Sequence, residues 1–507
     1  MRFSSAAPVF LLALAFGTSV HAADTALTIY SKATPGSINP DMYRPVPGRG
    51  MGYGYGGSVP GYAMVRHVQP MTLTQGTSTH TFDDVAAYLD PTTVVFRSLT
   101  NEKTRVVEQN FLFDLVNRQK LLQKYIDKTI TVEVAHGDSI ERYTGTLLST
   151  DGGLTLQEAG RGLRVLNTYS NIKLPDLPEG LRTQPTLEWQ LWSPQSGEQN
   201  VEVAYQTGGL TWWADYNLTF TPGEDANSGT LDVGAWVSII NQSGATYDDA
   251  KLKLMAGDVQ RAQPKRHYQQ ERMMAMSAMD TAPAAFDEKA FFEYHLYTLP
   301  RPATLRDNST QQMALFDAVN DVPVEKVLHY YGSQSFYGWG NSPNSNRDYG
   351  VTTGNKKIDV YLKFKNSADI GLGKPMPAGR IRVNQRDTAD GSLEFIGEDT
   401  IDHTPKNEEV MIKLGSAFDV VGERTQTNFY VDHSRKIMTE SFDITLKNHK
   451  EQAVKVVVKE NLYRWSNWSI TKSSMNYDKK DSRTITFTPT IPADGEVTIS
   501  YTVTYTW

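Results

Sequence analysis

The sequence predicts a mainly β protein built from tandem immunoglobulin-like β-sandwich domains. Between residues 201 and 256, apolar and polar side chains alternate in four successive runs. Period two over this length indicates strands with one buried face, because successive side chains of a strand point to opposite faces of the sheet. The alternation returns across residues 351–507 and is clearest at the carboxyl end, from Gly495 to Trp507. We therefore predict a first sandwich over residues 176–345 and a second sandwich region over residues 351–507.

Residues 1–22 have the features of a secretory signal peptide. Arg2 supplies a positive charge, the run from Phe10 to Phe16 supplies a short apolar core, and Val20 to Ala22 supplies a small-residue cleavage site. A membrane-spanning helix needs roughly 18 apolar residues, and no run in the chain reaches that length. We expect an exported protein without a transmembrane helix, in the periplasm or on the cell surface of a bacterium.

The cysteine content and the charge of the chain indicate which kinds of protein and of binding partner to expect. The chain has no cysteine, which excludes a lipid anchor at the cleavage site and favours a bacterial envelope protein over a disulfide-bonded eukaryotic one. Its 57 acidic and 50 basic residues are well mixed, whereas a nucleic-acid-binding protein carries a clustered basic patch. We therefore expect envelope proteins or glycans as partners and no nucleic acid.

Residues 23–127 are predicted to form an N-terminal β region with a Gly/Tyr-rich loop and one short helix. The loop runs from Pro35 to Pro60; a phosphate-binding loop would open a helix, and further turn residues follow Pro60 instead. Between Val106 and Ile126 apolar residues recur mostly at four-residue spacing, which predicts one amphipathic helix.

Residues 128–175 are predicted to form a small SH3-like β-barrel. Four short apolar runs follow one another here, with Asp151 to Gly153 as a hairpin turn. Proline residues at 175, 178 and 185 mark the boundary to the first sandwich.

Two insertions interrupt the predicted sandwiches. The segment 263–289 carries a run of methionines and is interpreted as a linker. Thioether clusters can bind Cu(I), but no second methionine cluster is present, so no metal or other cofactor is predicted. The segment from Tyr331 to Gly350 is rich in Gly, Asn, Ser and aromatic residues and is interpreted as a surface loop.

Three strands are followed by an asparagine that opens a polar turn: Asn241, Asn366 and Asn448. Asparagine suits this position because its side chain can close a turn on its own backbone. The recurrence indicates that the chain repeats a related sandwich unit.

Several long segments resemble the bacterial domain-of-unknown-function proteins grouped with mucoidy inhibitor A. The matching segments are Tyr205 to Tyr216, Asn241 to Gly244, Met255 to Val259, Phe292 to Pro300, Gly371 to Gly379 and Gly495 to Trp507. The better-known members carry a long coiled coil before the β region, whereas this chain has one short helix and a small barrel. The resemblance implies an envelope-associated β protein of undefined activity, and it brings no catalytic residues or cofactor.

No established catalytic motif is present, so no catalytic residue is assigned. The densest acidic cluster comprises Glu394, Glu398, Asp399, Asp402 and His403. A glycosidase needs two carboxyl groups about 5 to 9.5 Å apart, whereas Glu398 and Asp402 in one strand would be roughly 13 Å apart. Glu293 and His295 would share a strand face at about 7 Å, which suits a hydrogen-bonded or an acid–base pair, and a structural hydrogen bond is the preferred role.

Aromatic side chains that could stack on sugar rings complete the candidates. Trp212 is predicted to be in the core and Trp213 on the opposite, exposed face, where packing against a neighbouring domain is preferred to sugar binding. Trp465 and Trp468 form a second pair. We expect a non-enzymatic scaffold or interaction module of the envelope. Two alternatives stay open: a glycan-active hydrolase with carboxylates near Glu398, and an outer-membrane β-barrel, suggested by the aromatic alternation that ends at Trp507.

Overall fold

The structure is a computed structural model that describes residues 24–31, 38, 59–83, 85–137, 139–257, 259, 287–291, 294–332, 342–349, 351, 354–387 and 389–507. Over these residues the chain is mainly β, as the sequence predicts. The predicted signal peptide and nearly all of the methionine-rich segment lie outside the described residues. No helix in the described ranges is long and apolar enough to cross a membrane. The domain boundaries proposed from the sequence stay predictions.

In chain order the first elements are β1 (Asp24–Ser31), β2 (Gly61–Leu73), β3 (Gly76–Phe82), β4 (Leu89–Ser98), β5 (Arg105–Leu112), α1 (Arg118–Lys124), β6 (Thr129–His136), β7 (Ser139–Ser149), β8 (Leu154–Glu158), β9 (Gly162–Leu166) and β10 (Asn171–Lys173). They are followed by β11 (Thr186–Ser193), β12 (Gly197–Thr207), β13 (Leu210–Pro222), β14 (Ser228–Asn241), β15 (Tyr247–Ala256), β16 (Asp287–Phe291), β17 (Tyr294–Thr298), β18 (Ala303–Leu305) and β19 (Ser309–Tyr331). The last strands are β20 (Lys357–Lys365), β21 (Gly379–Arg386), β22 (Leu393–Ile401), β23 (Glu409–Asp432), β24 (Ile437–Asn448), β25 (Val454–Asn461), β26 (Trp468–Ser473), β27 (Asp478–Lys479), β28 (Thr484–Phe487), β29 (Thr490–Ile491) and β30 (Gly495–Thr506).

The strands of the described residues form four sheets. An eight-stranded sheet has the order β16-β17-β15-β1-β2-β12-β4, with β18 beside β15. A three-stranded sheet has the order β3-β11-β5 and a five-stranded sheet the order β10-β6-β7-β8-β9. The largest sheet has 14 strands; its main path is β22-β21-β13-β14-β19-β20-β23-β24-β30-β26, and β25 joins it through β19.

The first hydrophobic core lies between the eight-stranded sheet and the first half of the 14-stranded sheet. Ile29 of β1 and Val203 of β12 belong to this core together with Trp212 of β13. Trp212 is buried, as predicted, and its indole Nε1 donates a hydrogen bond to the carbonyl of Ile29, 3.2 Å away. The three-stranded sheet adds Trp189 to the same core. The N-terminal strands are therefore an integral part of the first sandwich.

The second core lies within the second half of the 14-stranded sheet, where β25 and β28 face β23, β24 and β30. Three strands contribute to both cores. Val324 of β19, Phe364 of β20 and Ile412 of β23 lie in the first core, and Tyr330, Ile358 and Val420 of the same strands lie in the second. The two sandwiches therefore share continuous strands.

The prediction of a small barrel at residues 128–175 is wrong in one respect, because the strands form an open sheet. β9 and β10 lie at opposite edges of the five-stranded sheet, and no pairing between them exists in the described residues. The helix α1 supplies the missing cover, because Leu122 and Tyr125 pack on Ile130 and Leu147 of the sheet. A sheet whose apolar face is covered by a helix does not need to close on itself.

The predicted helix is shorter than the four-residue spacing indicates. Residues Arg105–Leu112 form strand β5, which pairs with β11, and only Arg118–Lys124 is helical. The helix begins after Asn117, whose side chain accepts a hydrogen bond from the backbone of Lys120 at 2.9 Å. Residues four apart share a face in a strand as well as in a helix, so the spacing alone did not separate the two structures.

The three strand-ending asparagines have the same structural role. Each is buried, and each donates from its side-chain amide to carbonyls of two different segments. The acceptors are Ala245 and Leu305 for Asn241, Lys374 and Pro405 for Asn366, and Gln452 and Pro492 for Asn448, at distances of 2.7 to 3.1 Å. In Asn241 and Asn448 the side-chain oxygen also accepts from the amide two residues on, which is the predicted turn. Each asparagine therefore ties a strand end to a neighbouring loop.

Replacement of Asn448 by alanine removes the hydrogen bonds from its buried side-chain amide to the carbonyls of Gln452 and Pro492. Each such bond contributes about 0.5–1.5 kcal/mol, so we expect the Asn448→Ala variant to unfold at a lower denaturant concentration. Chemical denaturation followed by tryptophan fluorescence measures the change. Asn467→Ala is the matched control, since Asn467 makes an exposed hydrogen bond to Thr506; an equal loss in both variants would contradict the role given to Asn448.

Candidate functional site

The second core contains two ion pairs that are withdrawn from solvent. The first joins Arg424 of β23 to Glu460 of β25, with Nε 2.9 Å from Oε2. The hydroxyl of Tyr501 donates to the same carboxylate oxygen at 2.5 Å. The guanidinium of Arg424 lies over the ring of Phe442, 3.6 Å from the ring centroid. The two charged side chains are only 1% and 0% exposed, so each depends on the other for compensation of its charge.

The second ion pair joins Arg464 to Glu440 of β24 at 2.7 Å, and both side chains are fully buried. Glu440 Oε1 also accepts from Gln426 Nε2 at 2.8 Å and from the hydroxyl of Tyr463 at 3.1 Å. Arg464 packs against the ring of Phe429. We refer to Arg424, Glu440, Glu460, Arg464 and Tyr501, with Tyr463 and Tyr505, as the buried ion-pair cluster.

Arg464 also fastens a surface segment to this cluster. Its guanidinium donates to the backbone carbonyls of Asn344, Asn346 and Arg347, at 3.0, 2.5 and 2.9 Å. These residues belong to the insertion predicted from Tyr331 to Gly350. A single arginine can hold three carbonyls and a carboxylate because its planar guanidinium carries five donors in fixed directions.

The other end of the insertion contacts the first ion pair. A Cβ atom at Gly332 would lie 2.0 Å from Glu460 Oε1 and 2.5 Å from Arg424 Cδ, so no larger residue fits there. Gly332 directly follows β19, the strand that crosses from the first core into the second. Arg464 therefore binds the insertion near its end, and Gly332 at its start packs closely against the Arg424–Glu460 pair.

Several polar atoms of the cluster have no hydrogen-bond partner among the described residues. The five atoms are Arg424 Nη1, Glu440 Oε2, Glu460 Oε1, Arg464 Nε and the hydroxyl of Tyr505. Buried polar groups are nearly always satisfied, by protein or by ordered water. Donors and acceptors are both represented, which suits internal water rather than one ion of either sign.

Aromatic hydroxyls in the cluster are held in their neutral form. Burial, reinforced by the Glu460 carboxylate, raises the pKa of Tyr501 well above its ordinary value of 10.0. Burial and the nearby Glu440 carboxylate raise the pKa of Tyr505 in the same way. The pKa of the Arg424 guanidinium is also raised: burial disfavours its charge, but the attraction of Glu460 outweighs that effect. The cluster is thus built to keep two arginines charged and its tyrosines protonated.

The sequence did not single out this cluster, although one signal was present. Glu440 stands between Met438 and Phe442 in an alternating apolar run, and Glu460 continues the series of Val456 and Val458. A charged residue on the apolar face of a strand must be paired or exposed. The partners could not be read from the sequence because they lie on other strands.

The prediction that Trp213 is exposed is wrong. Its side chain is 7% exposed and forms a small cluster with Ile240, Ile38 and Val59. Ile38 and Val59 lie near the two ends of the Gly/Tyr-rich loop, and these two side chains cover Trp213. Residues 39 to 58 lie outside the described ones. The indole Nε1 donates to Asp215 Oδ2 at 2.7 Å. Trp213 therefore presents no free ring to a sugar.

Asp215 is the centre of a second polar network, on the face of β13 that carries Trp213. Its Oδ2 also accepts from Ser238 Oγ at 2.8 Å, and its Oδ1 lies 3.3 Å from Arg380 Nη2. Arg382 reaches the same oxygen at 3.8 Å and lies 3.5 Å from Glu398 across the β21–β22 pairing. Glu398, the leading hydrolase candidate, thus takes part in a cross-strand ion pair.

The other acidic candidates are engaged in local structure. Asp399 accepts from the backbone amides of Thr400 and Lys413, and Glu394 accepts from Ser392 Oγ. His403 Nδ1 accepts from the amide of Ala378 at 3.0 Å. Asp402 follows the end of β22, and its carbonyl accepts from Thr404. No group of three metal-ligating side chains occurs in the described part of the chain.

The remaining aromatic and acidic candidates give no open site. Trp465 and Trp468 pack on the second core. The ring of Trp468 is covered by Lys479, whose Nζ lies 4.5 Å from the centroid. His295 pairs with Ala256 and Ala290 in the sheet, while Glu293 lies outside the described residues.

Neutralising Glu440 tests how much the second ion pair contributes to the stability of the fold. In Glu440→Gln the charge of Arg464 stays buried without compensation, which costs about 3–5 kcal/mol. We expect a large fall in the denaturation midpoint and faster hydrogen exchange at residues 342–349. Glu398→Gln is the control, because an exposed pair contributes at most about 1 kcal/mol; equal midpoints for both variants would contradict the importance of the buried pair.

The raised tyrosine pKa values make the second core sensitive to alkali. A group whose pKa is raised on folding contributes stability that is complete below its unfolded pKa, here near 10.0, and that is lost as the pH rises above it. We expect Tyr501 and Tyr505 to ionise only as the core unfolds. Tyrosinate absorbance measures the ionisation, and circular dichroism measures the unfolding over the same pH range. Tyr501→Phe should flatten the pH dependence of stability, whereas Tyr88→Phe, at an exposed position, should leave it unchanged. Ionisation of Tyr501 in a folded chain would refute this.

Comparison with known proteins identifies the family. No curated protein and no solved structure is significantly similar to this chain. The family model described as Domain of unknown function (DUF4139) matches residues 201–507, which is more than half of the chain and contains the whole buried ion-pair cluster. The chain therefore belongs to the DUF4139 family.

Proposed function

We propose that this chain is a non-enzymatic interaction module that is exported to the bacterial cell envelope and is related to the proteins grouped with mucoidy inhibitor A. Its working surface is the insertion of residues 331–350, with the Gly/Tyr-rich loop as a second presented segment. Envelope proteins or glycans are the partners. The observation that carries the proposal is the attachment of the insertion to the buried ion-pair cluster.

The energetic argument is that a buried ion pair is a costly way to stabilise a core. Well-packed apolar residues of the same volume often do as well or better, because removing two charges from water costs several kcal/mol each. Here the charges do something that apolar residues cannot do: Arg464 binds three backbone carbonyls of the insertion. The cluster therefore serves to fix the course of a surface segment, as a binding loop on a rigid scaffold requires.

The export proposal has separate support. It rests on the signal-like residues 1–22 and the absence of cysteine. The glycan-hydrolase alternative has weaker support, since Glu398 faces Arg382 in an ion pair.

The proposal is tested by site-specific crosslinking in intact bacterial cells. A photoreactive residue at Asp348, which is exposed in the insertion, should capture an envelope protein or glycan, whereas the same residue at the exposed Asp151 of the five-stranded sheet should not. Arg464→Lys keeps the charge but loses the planar set of donors. It should strongly reduce capture from position 348 while the circular dichroism spectrum stays unchanged.

Two results would contradict the proposal. The first is equal capture from positions 348 and 151, or capture that is indifferent to Arg464→Lys. The second is hydrolysis of an envelope glycan by the purified chain that is abolished by Glu398→Gln and Asp402→Asn with folding intact, which would favour the hydrolase.

A further inference from the structure

An exposed tryptophan lies on the outer face of the 14-stranded sheet, one strand away from the buried Trp213. Trp236 of β14 is 41% exposed, and it pairs with Asp215 of β13. Its indole extends over Gly234, where a Cβ atom would lie 4.0 Å from the indole Nε1. Nothing in the described part of the chain hydrogen-bonds to this Nε1. Trp236 therefore presents to solvent the kind of open ring that the sequence predicts for Trp213.

A second exposed ring lies on the same face. Phe395 of β22 is 60% exposed, and it pairs with Asn384 of β21. Directly paired residues share a face of the sheet, and so do residues two apart in one strand. On β13, Asn217 lies two residues before the partner of Asn384, and it pairs with Gly234, two residues before Trp236. Phe395 and Trp236 therefore both point outwards from the sheet.

Two side-chain amides lie between the rings. In a diagonal across the four neighbouring strands β14, β13, β21 and β22, the order is Trp236, Asn217, Asn384 and Phe395, and we call these four residues the aromatic row. Diagonal neighbours on adjacent strands lie about 7–8 Å apart, so the row is roughly 20 Å long. Within the described residues neither amide forms a side-chain hydrogen bond. Each amide therefore offers donors and an acceptor to a ligand.

The charges beside the aromatic row are balanced within the sheet. Arg380 lies 3.3 Å from Asp215, and Arg382 lies 3.5 Å from Glu398. Farther along the face, Arg386 and Asp232 add one charge of each sign. A polyanion such as a nucleic acid needs a surplus of positive charge, which this face does not have. The ligand that fits the row is therefore uncharged.

The position of the row on a sheet face also narrows the ligand. An added peptide strand needs an unpaired edge, whereas β13, β14 and β21 are each paired on both sides. A protein interface has an apolar centre, whereas amides occupy the centre of this row. A sugar chain matches both parts, because its C–H faces pack on aromatic rings and its hydroxyls donate and accept hydrogen bonds.

We propose that the aromatic row binds a linear, uncharged polysaccharide. One sugar stacks on Trp236 and another on Phe395, and hydroxyls of the sugars between them bind the amides of Asn217 and Asn384. A row of roughly 20 Å accommodates a chain of several sugars and is too long for one monosaccharide. This site is separate from the insertion of residues 331–350, and its failure would leave the function proposed for the insertion unaffected.

Affinity electrophoresis of the full chain tests the proposal. Gels that contain hydroxyethyl cellulose, xyloglucan, galactomannan, laminarin or dextran as the probe should retard the wild-type chain in at least one case. Trp236→Ala and Phe395→Ala should each weaken that binding by about tenfold or more, because each removes one stacking ring. Phe418→Ala is the matched control, since it removes a ring that is 94% exposed elsewhere in the chain. Circular dichroism checks that all three variants are folded.

Three further measurements test how the row binds the probe. Trp236→Phe keeps an aromatic ring and should retain more affinity than Trp236→Ala. A hexasaccharide of the bound polysaccharide should compete at least about tenfold better than the disaccharide, because only the longer chain reaches both rings. Raising the salt concentration about tenfold should leave the affinity unchanged, since no net charge takes part.

The proposal is overturned by any of four results. The first is that none of the five neutral polysaccharides retards the wild-type chain. The second is equal retardation of the wild-type chain and of the Trp236→Ala and Phe395→Ala variants. The third is retardation by the polyanion alginate alone that disappears at high salt, which would indicate an electrostatic site. The fourth is self-association of the wild-type chain that is lost in Trp236→Ala, which would mean that a second copy of the chain covers this face.

Discussion

Continuous strands that pass from one hydrophobic core into the other are the constraint on which the rest of this structure depends. β19 has 23 residues and β23 has 24, several times the usual strand length. In the pairing of β20 with β23 a register shift between Val360 and Tyr361 falls where the strand passes from the second core to the first. Because the ladder continues through this shift, the two sandwiches are parts of one hydrogen-bonded sheet. The end of β19 is thereby carried to the buried ion-pair cluster, where the insertion begins.

The buried ion-pair cluster links packing to the surface. Desolvation of four charged side chains opposes folding, and their mutual attraction and hydrogen bonds offset that cost. Both arginines make contacts in addition to their ion pairs. Arg424 stacks on Phe442, and Arg464 binds the backbone of residues 344–347. An apolar core would leave those carbonyls without donors. The same logic applies on a smaller scale to the strand-ending asparagines, since each uses one buried amide to fix two loops.

Local sequence patterns were reliable where the structure is decided locally. The four runs between residues 201 and 256 are the strands β12, β13, β14 and β15. They do not form one meander, however: β12 and β15 lie in the eight-stranded sheet, and β13 and β14 lie in the 14-stranded sheet. Trp213 was misplaced for a related reason. Its strand face was identified correctly, but the cover from Ile38 and Val59 comes from a segment more than a hundred residues earlier.

The sequence by itself determined the strand content, most strand positions and the turn chemistry of Asn241 and Asn448, because period two and side-chain-to-backbone hydrogen bonds involve neighbouring residues. It also showed the charged residues on apolar strand faces. Only the tertiary structure decided which strands share a sheet, that Arg105–Leu112 is a strand edge, and which charges are paired. Arg424 and Glu460 are 36 residues apart, and Arg464 and Asn344 are 120 apart. Contacts at such separation depend on the path of the whole chain, since no local pattern constrains the partner of a buried charge.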